Sequence, residues 1–242
     1  MVESSHIETI YSLIDGIGRK SNLLKEKAKK DIYSYARKGA TDEVIALANR
    51  GFNINAREVS GTGRTVLQEA AANGHLNVTK VLVEEYNANI HRRTYLGKDT
   101  ALHLSVSFNH RHIVFYLLSN GADPNVMNKF GATPLHCVEG KSIAKLLYSF
   151  GASTILKDLN DKTAYDAVLQ RGHSKNSELA MYLLTANDGE TKKDIREEMV
   201  AAESFRRQIA IKKQVEKEKE EREAKDKLHS KIMHEYITWR KA

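Results

Sequence analysis

The sequence predicts an all-α fold: a helical solenoid whose helix pairs are joined by short β-hairpin loops, continued by a long C-terminal α-helix. Three observations predict it. First, one pattern recurs as Thr65-Val66-Leu67-Gln68, Thr100-Ala101-Leu102-His103 and Thr133-Pro134-Leu135-His136, with a weaker copy at Thr163-Ala164-Tyr165-Asp166. The threonines are 35, 33 and 30 residues apart, a period that marks stacked supersecondary units. Second, each copy leads into a small-residue stretch such as Ala70-Ala71-Ala72, and then into an apolar one, Val78 to Val83 or Ile113 to Leu118. Third, residues 191–242 contain neither glycine nor proline.

The elements of a unit follow in order. Threonine before the first helix caps its free backbone N–H groups. Pro134 falls in the first turn, where its missing N–H costs little. Small residues let neighbouring first helices approach closely. The second helix ends at a turn: Gly51-Phe52-Asn53-Ile54-Asn55, Asn87-Ala88-Asn89-Ile90, Gly121-Ala122-Asp123-Pro124-Asn125 and Gly151-Ala152-Ser153. Glycine suits the left-handed residue at such an end. The fourth unit is short, because Cys137-Val138-Glu139-Gly140 runs straight into Lys141-Ser142-Ile143. Its first helix is expected to be truncated.

These motifs resemble the ankyrin repeat, with its T-P-L-H-x-A-A, G-H, L-L and G-A-D-x-N elements. Ala36-Arg37-Lys38-Gly39 aligns with Ala71-Ala72-Asn73-Gly74 and adds a first, degenerate copy. The resemblance covers five units over roughly 29–186 and implies an ankyrin-type helical solenoid. It also implies that His103 and His136 hydrogen-bond between neighbouring hairpins, and that His75 and His110 fill the G-H position. Gln68 departs from the histidine, and Asn109 from the glycine.

Residues 1–28 are expected to form N-terminal capping helices. Ser5-His6-Ile7-Glu8 is a capping-box pattern, Ile7, Ile10, Tyr11 and Ile14 share a face, and Gly16-Ile17-Gly18 breaks the helix. Residues 187–242 are expected to form a charged helical tail. Of the last 52 residues, 15 are basic and 11 acidic, and a continuous helix over them would reach about 78 Å. Glu218/Arg222, Glu221/Lys225 and Glu223/Lys227 have the favourable four-residue spacing. A coiled coil is one form such a tail takes, yet its best seam, from Ile195, Met199 and Ala202, meets Arg206, Lys213, Glu216 and Glu220. Met199, Ala202, Phe205 and Ile209 make one apolar stripe, and Leu228, Ile232, Tyr236 and Trp239 another.

Several function classes are disfavoured. One cysteine in 242 residues excludes a disulfide framework and any multi-cysteine metal site. No H-E-x-x-H or complete phosphate loop occurs, and Gly61-Thr62-Gly63 reads as a hairpin tip. Cys137 falls at a packing position, where a thiol is inert. No catalytic residue, metal or cofactor is assigned. No apolar stretch approaches the ~18 residues that span a bilayer, and the N-terminus lacks a secretory pattern. A membrane partner is therefore not expected, and the expected location is cytoplasmic. The net charge of +7 is interleaved with acids, which argues against a phosphate-tracking nucleic-acid surface.

The expected function is a non-catalytic protein–protein interaction adaptor or scaffold. The resemblance places binding on the hairpin tips and the first-helix face, here Tyr95, Leu96, Lys98, Phe108, Lys129, Phe130 and Leu159. Leu228, Ile232, Tyr236 and Trp239 supply a second surface on the tail. The alternative is a structural cytoskeletal component, associated with microtubules or a ciliary axoneme, in which the basic surplus of the tail meets acidic tubulin.

Overall fold

A computed structural model describes residues 32–58, 63–175 and 177–186, and residues 200, 204, 207–212, 214–215, 217–219, 221–223 and 225–227 of the tail. Between 32 and 186 the chain forms five helix pairs. They are α1 (32–38) with α2 (Thr41–Asn49), α3 (Val66–Ala72) with α4 (Leu76–Glu84), and α5 (Ala101–Ser107) with α6 (Arg111–Ser119). A 3₁₀ turn (Pro134–Cys137) then pairs with α7 (Lys141–Ser149), and α8 (Ala164–Gln170) with α9 (Glu178–Thr185). The inner helices α3 and α5, the 3₁₀ turn and α8 stack in sequence, and the outer helices lie behind them.

One core runs through all five pairs. The leucine of each T-x-L motif (Leu67, Leu102, Leu135) is buried, as are Leu82, Ile113, Leu117, Ile143 and Leu147 of the outer helices. Ala36, Ala70 and Ala71 are fully buried; larger side chains there would push the layers apart. A lone pair could not bury these faces, so the stack is the folding unit.

The threonines begin their helices as the sequence predicts. Thr65, Thr100, Thr133 and Thr163 each form a reciprocal capping box with the residue three positions on. That residue also joins adjacent units. The Thr100 backbone N–H donates to His103 Nδ1 at 3.3 Å, while His103 Nε2 donates to the Ala132 carbonyl at 3.0 Å. His136 does the same from Thr133 to the Lys162 carbonyl, at 3.2 and 3.0 Å. Gln68 reproduces the geometry with an amide: its Oε1 accepts from Thr65 N–H at 2.8 Å and its Nε2 donates to the Arg92 carbonyl at 2.6 Å. Asp166 closes its own box, but a carboxylate has no proton to send forward.

A second tie runs backwards from the other end of the inner helices. His75 Nε2 bonds the Arg37 carbonyl at 2.7 Å, and His110 Nε2 the Ala72 carbonyl at 3.0 Å. The His110 ring lies where a Cβ on Gly74 would be, 2.8 Å away, and Gly74 has φ +82°. Both facts require glycine there. Asn109 takes the place of that glycine in the third unit at φ +60°, a conformation asparagine tolerates. At the end of α4, Asn87 at φ +50° replaces the turn glycine found as Gly121 and Gly151 in later units.

The fourth unit is truncated as expected. Its first helix is four residues of 3₁₀ against seven of α-helix in α3, α5 and α8. Arg171, from the next unit, compensates. Its guanidinium donates to the His136 and Val138 carbonyls, both at 2.6 Å, and pairs with Glu139 at 2.8 Å. The hairpin loops are tighter than strands: among the described residues the only bridge is Arg57 with Thr65, and each loop otherwise closes through turn bonds.

The described tail residues are helical and exposed, apart from half-buried Ile209. The ion pairs among them are Lys217–Glu221 and Lys219–Glu223 at 4.0 Å, opposite in orientation to the expected ones. The capping helices over 1–28, the stripe residues Met199, Ala202 and Phe205, and the site residues Leu228, Ile232, Tyr236 and Trp239 lie outside the described residues.

Two outcomes follow. Burial holds the His103 imidazole below its usual pKa, so its neutral form is the folded one. The stability it contributes is complete above pH ~6.5, the ordinary histidine value, and is lost as pH falls through the lowered value. His103→Ala, which orphans the Thr100 N–H and Ala132 carbonyl, is expected to cost about 1–3 kcal/mol in urea unfolding at pH 7.5. His103→Gln, copying Gln68, should retain most of that and lose stability less steeply as pH falls below ~6.5. Arg171→Met is expected to cost about 1–3 kcal/mol, because two carbonyls lose charged donors; an unchanged urea midpoint would show that the shortened unit needs no such cap.

Candidate functional site

The hairpin tips of successive units are joined by their backbones. Tyr95 N–H donates to the Gly63 carbonyl at 3.3 Å, Lys129 N–H to Gly97 at 2.8 Å, and Leu159 N–H to Phe130 at 3.0 Å. A Cβ on Gly131, which has φ +72°, would lie 2.8 Å from Leu159 N, so glycine permits this approach. The Arg57 guanidinium reinforces the row by donating twice to the Arg93 carbonyl, at 3.0 and 2.9 Å. Asn128 Nδ2 donates to Asp99 Oδ1 at 2.8 Å.

Six of the residues expected at the binding surface lie on this row. Tyr95, Leu96, Phe130 and Leu159 are 66, 69, 59 and 77% exposed. Lys98 and Lys129 are exposed between them, and Lys98 Nζ sits 5.7 Å from the Tyr95 ring centroid, a cation–π approach. Phe108 is also exposed, but it is the C-cap of α5, a helix length of about 10 Å from the tips. There it stacks on His110 with centroids 6.5 Å apart. Ile155 and Met127 join the exposed apolar residues of the hairpins.

An ion cluster flanks the first tip and was not expected from the motifs. Glu58 and Glu69 are buried. Arg37 reaches Glu58 at 2.6 Å and Glu69 at 3.4 Å, and Arg64 reaches Glu69 at 3.8 Å. The signal in the sequence was a charged residue, Glu69, where the next unit has Leu104. Its partner Arg37, 32 positions earlier and one unit away, is not recoverable without the stacking geometry.

The remaining chemistry is quiet. Cys137 is half-buried, and burial pushes its thiol above the ordinary value despite a bond with Ser107. Among the described residues no group of three or more His, Cys, Asp and Glu is placed to hold a metal ion. Nor is any helix among them long and apolar enough to cross a membrane.

Comparison with known proteins agrees with the architecture. A family model described as ankyrin repeats (3 copies) matches residues 34–128 and 102–196. A putative ankyrin repeat protein of Rickettsia felis is 32% identical over 48% of this chain and 59% of its own length. The ankyrin repeat and SOCS box protein 2 of Rattus norvegicus is 32% identical over 52% of this chain and 20% of its own. Protein phosphatase 1 regulatory subunit 27 of Mus musculus is 37% identical over 36% of this chain and 58% of its own. The chain thus spans less than two thirds of each. With the family match running through most of the stacked units, this chain belongs to the ankyrin-repeat family.

Proposed function

We propose that this chain is an adaptor that binds one protein partner on its row of hairpin tips and engages another through its C-terminal tail. Ankyrin repeats make it a protein–protein interaction module. The observation that supports the tips as the contact surface is the exposure of Tyr95, Leu96, Phe130 and Leu159 on hairpins bonded in register. Large apolar side chains held on a rigid frame lose little entropy on binding, and aromatic residues are frequent anchors of interfaces. The role proposed is non-catalytic, in keeping with ankyrin repeats as interaction modules. A scaffold role, with the tail reaching a cytoskeletal filament such as a microtubule, rests on the basic surplus of the tail alone. Salt-sensitive co-sedimentation of the full chain with microtubules tests it, and absence of pelleting at low salt removes it.

The tip reading has its own test. A variant carrying Tyr95→Ala, Leu96→Ala, Phe130→Ala and Leu159→Ala removes exposed side chains only, so its thermal midpoint is expected to stay within a few degrees of the natural chain. Proteins crosslinked to the full chain in its own cells should fall at least tenfold in recovery. Unchanged recovery from a folded variant would place the contact elsewhere.

A further inference from the structure

The charge on the tip row is one-sided in a way the composition hides. The hairpin tips carry four carboxylates, and each has a partner within the chain, Asp161 while 87% exposed. Glu58 pairs with Arg37 at 2.6 Å. Asp99 accepts from Asn128 at 2.8 Å. Asp158 accepts the Asn160 and Lys162 backbone N–H groups at 2.8 and 3.0 Å, and Asp161 pairs with Lys157 at 3.3 Å. The cations differ. Arg92, Arg93, Lys98 and Lys129 are exposed, and none has a carboxylate within ion-pair distance among the described residues. They share the second and third tips with Tyr95, Leu96 and Phe130, and Leu159 lies on the fourth.

We propose that the tip row binds an extended, acidic peptide segment whose carboxylates alternate with apolar side chains. This rests on the tips being the contact surface and adds the partner's chemistry. The three tips that carry these residues make two steps of roughly 10 Å each, about 20 Å, which an extended segment of about six residues covers at ~3.3 Å per residue. Apolar side chains of the segment would lie among the tyrosine, phenylalanine and leucines. Its carboxylates would meet the two arginines, which can bind them bidentately, and the two lysines. A single-stranded nucleic acid also combines negative charge with flat apolar groups. It is the poorer fit, because aliphatic Leu96 and Leu159 present no stacking face and the cations do not form a continuous track.

The test uses the full chain and an array of twelve-residue peptides of three kinds. In one, Glu or Asp alternates with Leu, Phe or Tyr; in the second, Lys replaces the acids; in the third, Ser replaces the apolar residues. A single-stranded oligonucleotide is titrated in parallel. The acidic-apolar peptides are expected to bind at least tenfold tighter than either control set, and to weaken as salt rises from 50 to 500 mM. Arg92→Glu with Arg93→Glu and Lys129→Glu should lose at least tenfold for these peptides and gain for the lysine set. The corresponding glutamine variant should fall between. The proposal is overturned by preference for lysine or serine peptides, by no binding of any acidic peptide, by an oligonucleotide tighter than every peptide, or by charge-reversed protein that binds as the natural chain does. Those results leave the tips available as a contact surface for other chemistry. That broader reading fails separately, when the four-alanine variant keeps its cellular partners.

Discussion

The structure depends on a side chain that serves two units at once. In the capping box, the third residue of the helix turns back to bond the backbone N–H of the threonine. In His103, His136 and Gln68 the same side chain also presents a donor on its far side, and this reaches the carbonyl just before the next unit's threonine. The start of one inner helix is thereby referenced to the start of the next. His75 and His110 tie the other end backwards. With both ends fixed, the helices cannot slide along one another without orphaning buried polar groups, and each orphan would cost about 1–3 kcal/mol. The register of the hairpin tips, and so the row that they form, is a consequence.

The fourth unit shows how local such a scheme is. A shortage of three residues cuts the inner helix from seven residues to four, yet Leu135 stays in the core and His136 keeps both of its bonds. What is lost is the far end, where the G-H pair would have sat. Arg171 enters there from the following unit and satisfies the carbonyls that no longer have helical partners. Stability in a solenoid is a sum over neighbours, so a defect in one unit is corrected by the next.

Much of this is legible in the sequence because the repeat supplies its own alignment. The threonine caps, the pairs of helices, the short fourth unit and the exposed tip residues are each set by residues within one period, and the roles of His103 and His136 follow from the family resemblance. The ion cluster is not, since Glu69 and Arg37 meet only once two units are stacked at a definite angle. Arg171 is similar: it sits at the end of an unremarkable helix, and its use depends on a shortage 33 residues earlier. Nor could the placement of Phe108 apart from the tips be weighed without helix lengths, because family position alone puts both on one concave face. Gln68 looked like a departure and is a substitute. An amide offers an acceptor and a donor just as a neutral imidazole does, which a comparison of residue names obscures.

The sign of the tip surface follows from turn geometry. A tight turn leaves backbone N–H groups pointing inward with no strand to bond, and it needs acceptors. Asn53, Asn89, Asp123, Asn128 and Asp158 each accept the N–H two residues on, at 2.8–3.0 Å. Asx turns of this kind are intrinsic to the short side chains. Lysine and arginine carry only donors and cannot fill that role; Arg57 instead reaches a carbonyl of the next hairpin. Asp123 and Asp158 are drawn into the backbone in this way, while Arg92, Arg93, Lys98 and Lys129 are left facing water. A chain can have nearly balanced composition and still present a basic edge, because the tip carboxylates have partners within the fold and Arg92, Arg93, Lys98 and Lys129 have no carboxylate partner among the described residues. On the proposed reading, a partner that supplies negative charge would meet these cations, and the apolar side chains beside them would select among such partners.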